Sequence, residues 1–252
     1  LGEIDVPEGR LWGAQTERAR HHFPSYGGPL SSEVVKAYAA IKKAAAQTNG
    51  EAGHIEREKV EVIATVCEEI SAGKHDGEFP LPTWISGSGT QLNMNVNEVI
   101  ANRASQLTGE PLGSKRPLHP NDDVNRSQST NDTFPTAMHV ATARGVKKDL
   151  IPALEQLAIA FEMKAKAWSD IVKLGRTHLQ DATPLTLGQE MGGFATLIKA
   201  DIRRLEMGLD EVCELAIGGT AVGTGINAHA GFGEGVSKRL SEAFDLPFRP
   251  AK

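Results

Sequence analysis

A mainly α-helical fold is predicted by three observations. Apolar residues recur at intervals of three and four over long stretches, alternating apolar and polar runs are almost absent, and glycine and proline crowd into two short spans instead of punctuating the chain evenly. The first helical stripe is Val34, Tyr38, Ile41 and Ala45, and the next is Val60, Ile63, Cys67 and Ile70. Gly109, Pro111, Gly113, Pro117 and Pro120 then predict a long surface loop between Thr108 and Pro120, with a domain boundary near Gln128, so that residues 1–128 form one domain and 129–252 another. Leu150, Leu154, Leu157, Phe161, Ala165 and Trp168 continue the helical spacing, with Pro152 starting, kinking or breaking that helix. The longest stripe is Met191, Phe194, Ile198, Ile202, Leu205, Leu209 and Val212. A helix over 187–214 would extend ~40 Å at 1.5 Å per residue, which suits a bundle. Gly218 to Gly235 is a second glycine-rich break before a short amphipathic helix over 236–244.

Composition narrows the function classes. The chain has 252 residues, 40% hydrophobic content and a net charge of -5, enough to bury a real core and too acidic and evenly charged for the basic stripe that nucleic acid requires. Its longest apolar runs are far too short to span a bilayer. The two cysteines, Cys67 and Cys213, stand far apart with no metal-type or redox-type spacing, which fits a reducing, cytoplasmic compartment. Cys67 is expected as a small core residue on its helical stripe. No secretory leader is read in the chain, which opens at Leu1, and the sequons at Asn125 and Asn131 are read as chance.

Three polar segments stand out against this background. In Ser86-Gly87-Ser88-Gly89-Thr90-Gln91, glycines let the backbone approach a ligand, Ser88 and Thr90 offer hydroxyls, and a helix starting near Gln91 presents free N–H groups to an anion. The competing reading is a glycine loop with Thr90 as N-cap and Asn93, Asn95 and Asn97 on a solvated face. The second segment runs from His119 to Asp132. Its Ser129, Thr130 and Asn131 are neutral donors, suited to a carboxylate on which negative charge grows, although a capped helix start accounts equally for Asp132 and Thr133. His119 with Asp122 lacks the third ligand a metal site needs. The third is Gly175-Arg176-Thr177-His178-Leu179-Gln180-Asp181-Ala182, in which His178, between a helix end and a Pro/Thr-marked turn, can move protons near neutral pH and contact an anion, or simply be a surface or satisfied core histidine.

These segments together, with Asn93-Met94-Asn95, the opening Ile4-Asp5-Val6-Pro7 and Leu11-Trp12-Gly13-Ala14-Gln15-Thr16, and the later Gly218-Gly219-Thr220-Ala221-Val222-Gly223-Thr224-Gly225, resemble class II fumarate hydratase of the fumarase/aspartase superfamily along essentially the whole chain. The resemblance is closer than to aspartate ammonia-lyase, which carries glutamine where this chain has His178 and a different loop where it has Gly87-Ser88-Gly89-Thr90-Gln91. It implies reversible trans addition of water to fumarate, giving L-malate in the tricarboxylic acid cycle, without metal or organic cofactor. It further implies His178 as a catalytic residue, Ser88, Thr90, Ser129, Thr130, Asn131 and Thr177 as holders of the substrate carboxylates, and His119, Asn121 and Asp122 as a second dicarboxylate site. A homotetramer with shared active sites is implied, its central helical bundle beginning at residue 129. The family's loop of the form Gly-Ser-Ser-x-Met-Pro-Gly-Lys-x-Asn, with the serine proposed as base and a substrate-binding lysine, is absent from these 252 residues. The chain is therefore expected to be the N-terminal part of such an enzyme, the alternatives being an aspartate ammonia-lyase-like enzyme or a folded, non-catalytic assembly module.

Overall fold

A computed structural model describes residues 2–23 and 27–252. Among them the chain is mainly helical and falls into two compact units, one made of residues up to Ala141 together with Cys213–Lys252, the other of Thr142–Val212. Neither division falls at Gln128. Beyond that residue the chain stays with the first unit, because the Asp132 carboxylate accepts the N–H groups of Gly218 (3.1 Å) and Thr220 (2.9 Å), and a His139 ring nitrogen meets the Glu214 carbonyl at 2.8 Å.

The first unit carries α1 (Ala14–His22), α2 (Ser32–Glu51), α3 (Arg57–Ser71), α4 (Thr90–Thr108) and most of α5 (Thr130–Gly145). Its core is the expected stripes meeting one another. Tyr38, Ile41 and Ala45 of α2 are fully enclosed, as are Ile63 and Val66 of α3 and Leu92, Val96 and Val99 of α4. Cys67 is 1% exposed, as its place on the stripe requires. Gly109 ends α4 in the left-handed conformation (φ 74°), opening the predicted loop, and Pro120–Val124 forms a wide, π-type turn at its far end.

The last helix starts earlier than its apolar pattern indicated, at Phe232, because Phe232 is itself buried and Gly231 (φ 81°) turns the chain into it. We label it α8 (Phe232–Phe244). It packs on α2. Two short parallel strands, numbered β3 (Glu214–Leu215) and β4 (Arg249–Pro250) after the hairpin strands below, close the unit. Glu214 thus belongs to a strand, and the long helix expected over 187–214 stops at Val212.

The second unit is a helical hairpin of α6 (Ile151–Ala167) and α7 (Leu187–Val212). Pro152 sits in the first turn of α6, where its missing N–H costs nothing, so it starts the helix. The pair packs antiparallel, Phe161 against Phe194 at 5.6 Å between ring centres and Glu162 paired with Lys199. At its closed end a Cβ on Gly188 would lie 2.4 Å from the Ala165 carbonyl oxygen, so only glycine lets the helices approach this closely. Between the helices stands an antiparallel hairpin of β1 (Val172–Thr177) and β2 (Gln180–Thr186). No alternating pattern in the sequence marked it, and the chain around it remains mainly helical, as expected. Its outward residues have no core to face, Val172 being 72% exposed, so the apolar-polar alternation that marks a half-buried strand is weak.

Candidate functional site

The site grows from the place where α4 and α5 begin. Gly89 holds φ 70°, and a Cβ there would come within 2.3 Å of the Phe134 ring, so the two helix starts touch through a position that only glycine can fill. Thr90 is consequently the first helical residue and not the cap. Its Oγ1 lies 3.0 Å from Ser88 Oγ, which lies 2.9 Å from Ser86 Oγ, an exposed row of hydroxyls beside the unpaired N–H groups of a helix start.

The asparagines that follow do not lie on a solvated face. Asn93, Asn95 and Asn97 are all at most 1% exposed. Asn93 Nδ2 donates to Thr130 Oγ1 at 3.0 Å, which ties the first polar segment to the second. There Ser129 Oγ accepts the Asn131 N–H (3.2 Å), and Asn131 Nδ2 donates to the Ala221 carbonyl (2.7 Å), bringing in the glycine-rich loop. Asp132, 1% exposed, is structural: besides the two loop N–H groups it accepts from Ser129 N at 2.9 Å. Burial pushes its carboxyl above the ordinary range despite these donors.

The second proposed site is adjacent in sequence and differently built. His119 Nδ1 meets the N–H groups of Asn121 (3.2 Å) and Asp122 (3.1 Å), while the His119 N–H donates to Asp123 Oδ2 at 2.7 Å. Asn121 and Asp122 open on a cleft of about 590 Å³ shared with His54, Arg126 and His229, the two imidazoles stacked at 4.9 Å.

Thr177 and His178 belong to the second unit, at the tip of the β1–β2 hairpin. Thr177 pairs with Gln180, leaving a two-residue turn in which His178 (φ 49°) and Leu179 (φ 61°) are both left-handed, the geometry of a type I′ turn. Neither residue is one that such turns favour, and each left-handed position costs a non-glycine residue about 1–2 kcal/mol. His178 is thus exposed on a strained turn and not set at a helix end.

Comparison with known proteins places this arrangement. A family model described as "Lyase" matches residues 2–252. The chain belongs to this lyase family. It is 52% identical over 251 residues to the class II fumarate hydratase of Chromobacterium violaceum, covering 100% of this chain and 54% of that protein. With the class II fumarate hydratase of Methanosarcina acetivorans it shares 55% identity, over 98% of this chain and 51% of that one. The crystal structure of class II fumarase from Schistosoma mansoni superposes with a TM-score of 0.94 at 39% identity, covering 100% of this chain and 56% of its own. The chain spans about half the length of the curated relatives it matches.

One residue of the candidate site was not foreseen. Lys42 is 0% exposed, one turn beyond Tyr38 on the buried face of α2, and its Nζ donates to Asn93 Oδ1 (2.8 Å), Asn125 Oδ1 (2.8 Å) and Gln128 Oε1 (3.0 Å). Burial pulls its ammonium down to about 7, against the opposing pull of Asp132. The signal was present: a charge on the buried stripe must be paired, and the pair is where the polar segments converge. Among the described residues no helix is long and apolar enough to cross a membrane.

Proposed function

We propose that the protein is a class II fumarate hydratase, acting reversibly between fumarate and L-malate as a step of the tricarboxylic acid cycle in the cytoplasm, and that this chain is its N-terminal part. The observation that carries the reading is the pair of neutral hydroxyls on Ser88 and Thr90 where α4 starts, with Thr130 at the start of α5 tied to the same helix through Asn93, in a chain of the lyase family whose relatives bear that name. In the dehydration direction a base takes the proton from malate C3. The electron pair moves toward the adjacent carboxylate, and the C2–O bond then breaks. Donors fixed in advance lower the cost of the carboxylate that becomes doubly charged in the intermediate. Ser88, Thr90, Ser129, Thr130, Asn131 and Thr177 hold the carboxylates, and His178 gives a proton to the departing hydroxyl, which leaves as water. The scheme needs no metal or organic cofactor. The base belongs to the family's serine loop on a longer chain. His119, Asn121 and Asp122 form a second dicarboxylate site of lesser weight.

Assembly into a homotetramer with shared active sites is part of the proposal. It is supported by the apolar residues that α6 and α7 leave exposed, among them Met163 (68%), Leu197 (61%) and Met207 (76%), more than an isolated helical hairpin keeps in water. The test is fumarate absorbance in full-length protein incubated with malate. The absorbance should rise, and His178→Asn should lower kcat on the order of 100- to 10,000-fold with little change in melting temperature. Mixing His178→Asn with Thr90→Ala subunits should restore part of the activity if sites are shared. Full-length protein that leaves malate unchanged would instead favour a non-catalytic assembly module.

A further inference from the structure

We infer that Lys42 is a positioning residue that acts through Asn93 to aim the hydroxyl proton of Thr130 out of the protein and toward the substrate carboxylate. The inference deepens the fumarate hydratase reading and rests on it for the identity of the anion.

A hydroxyl can donate one proton, and which way it donates depends on what already points at its oxygen. Thr130 Oγ1 receives the Asn93 amide at 3.0 Å from the protein side. A hydroxyl that accepts there cannot also donate there, so its proton is left for the open side. The same bond with the Asn93 amide rotated by 180° would put a carbonyl oxygen against Thr130 and turn the proton inward, removing a donor from the site.

Lys42 decides between the two. In its ammonium form, the form held below pH about 7, Lys42 has three protons and no acceptor, and all three face carboxamide oxygens, those of Asn93, Asn125 and Gln128. Rotating Asn93 would press its NH2 against that ammonium. The partners are locked in turn. The second Asn93 amide proton goes to Asn125 Oδ1 at 3.2 Å, and the Gln128 NH2 is spent on the carbonyls of Val124 and Arg126 at 3.1 and 3.0 Å. The donors of Lys42, Asn93 and Gln128 are thus each assigned an acceptor, and the Thr130 hydroxyl is left to turn its proton outward. Placing a full charge in a core where a leucine would pack is costly, and amide orientation is what the charge secures.

Asn93→Asp is the decisive substitution, since it keeps and strengthens the partner of Lys42 but can only accept from Thr130, so the hydroxyl must turn inward. Steady-state conversion of malate is measured in the full-length protein for Asn93→Asp, Thr130→Val and the double variant. We expect Asn93→Asp to lower kcat by about 10- to 100-fold with melting temperature held, the loss range of one missing transition-state donor being about 100- to 1,000-fold at most. The double variant should be no worse than Thr130→Val alone. Losses that multiply in the double variant, or an Asn93→Asp enzyme of normal kcat, overturn the inference. Lys42→Met, where it folds, should resemble Asn93→Asp in kcat.

A second readout is independent of activity. Protein labelled with nitrogen-15 in its asparagine side chains should show slowly exchanging Asn93 amide protons in the wild type and in Thr130→Val a loss confined to one of them. Equal exchange in wild type and Lys42→Met shows that Lys42 does not hold the amide and overturns the inference. Wild-type protein that fails to convert malate while Asn93 remains protected overturns the fumarate hydratase reading and leaves the hold of Lys42 on the Asn93 amide standing.

Discussion

Replacing Gly89 with alanine should damage the protein in two separable ways. The backbone at φ 70° costs an L-residue about 1–2 kcal/mol. The new methyl would also stand 2.3 Å from the nearest atom of the Phe134 ring, far inside contact distance, and forcing extra volume into packed surroundings costs typically about 1–3 kcal/mol. The sum is a loss of about 2–5 kcal/mol, read as a shift of the urea midpoint at constant slope. The two parts are divided by a second substitution. In a Phe134→Ala background the ring is gone, so Gly89→Ala should cost only the backbone part, and the cycle should return a coupling of about 1–3 kcal/mol. Gly89→Ala should also lower turnover, because Ser88 and Thr90 are carried on the displaced backbone. A loss below about 0.5 kcal/mol, the scale of an unremarkable surface change, would refute the contact between the two helix starts. So would an equal loss with and without the ring.

Four further substitutions probe other parts of the protein. Glu69 is held well below its ordinary value of 4.5, at about 2, chiefly by the two-pronged Arg103 guanidinium (2.8 and 3.0 Å) and also by His75 (2.8 Å). Its folded value being depressed, it contributes stability above about pH 4.5 that is lost as pH falls through 2, about 3 kcal/mol at 1.36 kcal/mol per unit. Glu69→Gln should abolish that part of the acid transition in urea titrations taken from pH 5 to pH 2, and an unchanged pH dependence would show the pairing to be worthless. Asp132→Asn replaces the acceptor of three backbone N–H groups and should cost on the order of 1–3 kcal/mol, with faster amide exchange at Gly218 and Thr220; unchanged exchange there would dismiss Asp132 as the loop's anchor. Thr90→Ala should lower kcat and kcat/KM together on the order of 100-fold, His119→Asn much less, and steady-state kinetics giving the opposite order would reverse the ranking of the two dicarboxylate sites.

The helices were legible because burial imposes a period, and Tyr38, Ile41 and Ala45 had to share a face if α2 packed on anything. The polar segments were legible as composition, though their geometry was not. Asn93 reads as a surface residue to any rule based on residue type, and it is buried only because Lys42, Asn125 and Thr130 arrive from three other places in the chain to satisfy it. The β1–β2 hairpin escaped for a different reason. The sequence signals of a tight turn are those of cheap left-handed residues, and this turn uses His178 and Leu179, whose cost must be met elsewhere. The limits of the compact units could not be read from composition either, since they follow from long-range bonds such as those of Asp132.

The first unit is interrupted in the chain by all of Thr142–Val212, and this sets an order of events at the ribosome. When α5 emerges, the Asp132 carboxylate has only one of its three backbone donors, the Ser129 N–H, and the surface of α2 that α8 will cover lies bare. At elongation rates of 5–20 residues per second, the whole of the second unit is synthesised over roughly 4–14 s before Gly218 and Thr220 appear. The helical hairpin, whose contacts are local, can form meanwhile, whereas the unit begun first is finished last. A nascent chain stalled anywhere in that interval exposes an unfinished core, and it is there that a holding chaperone has most to gain.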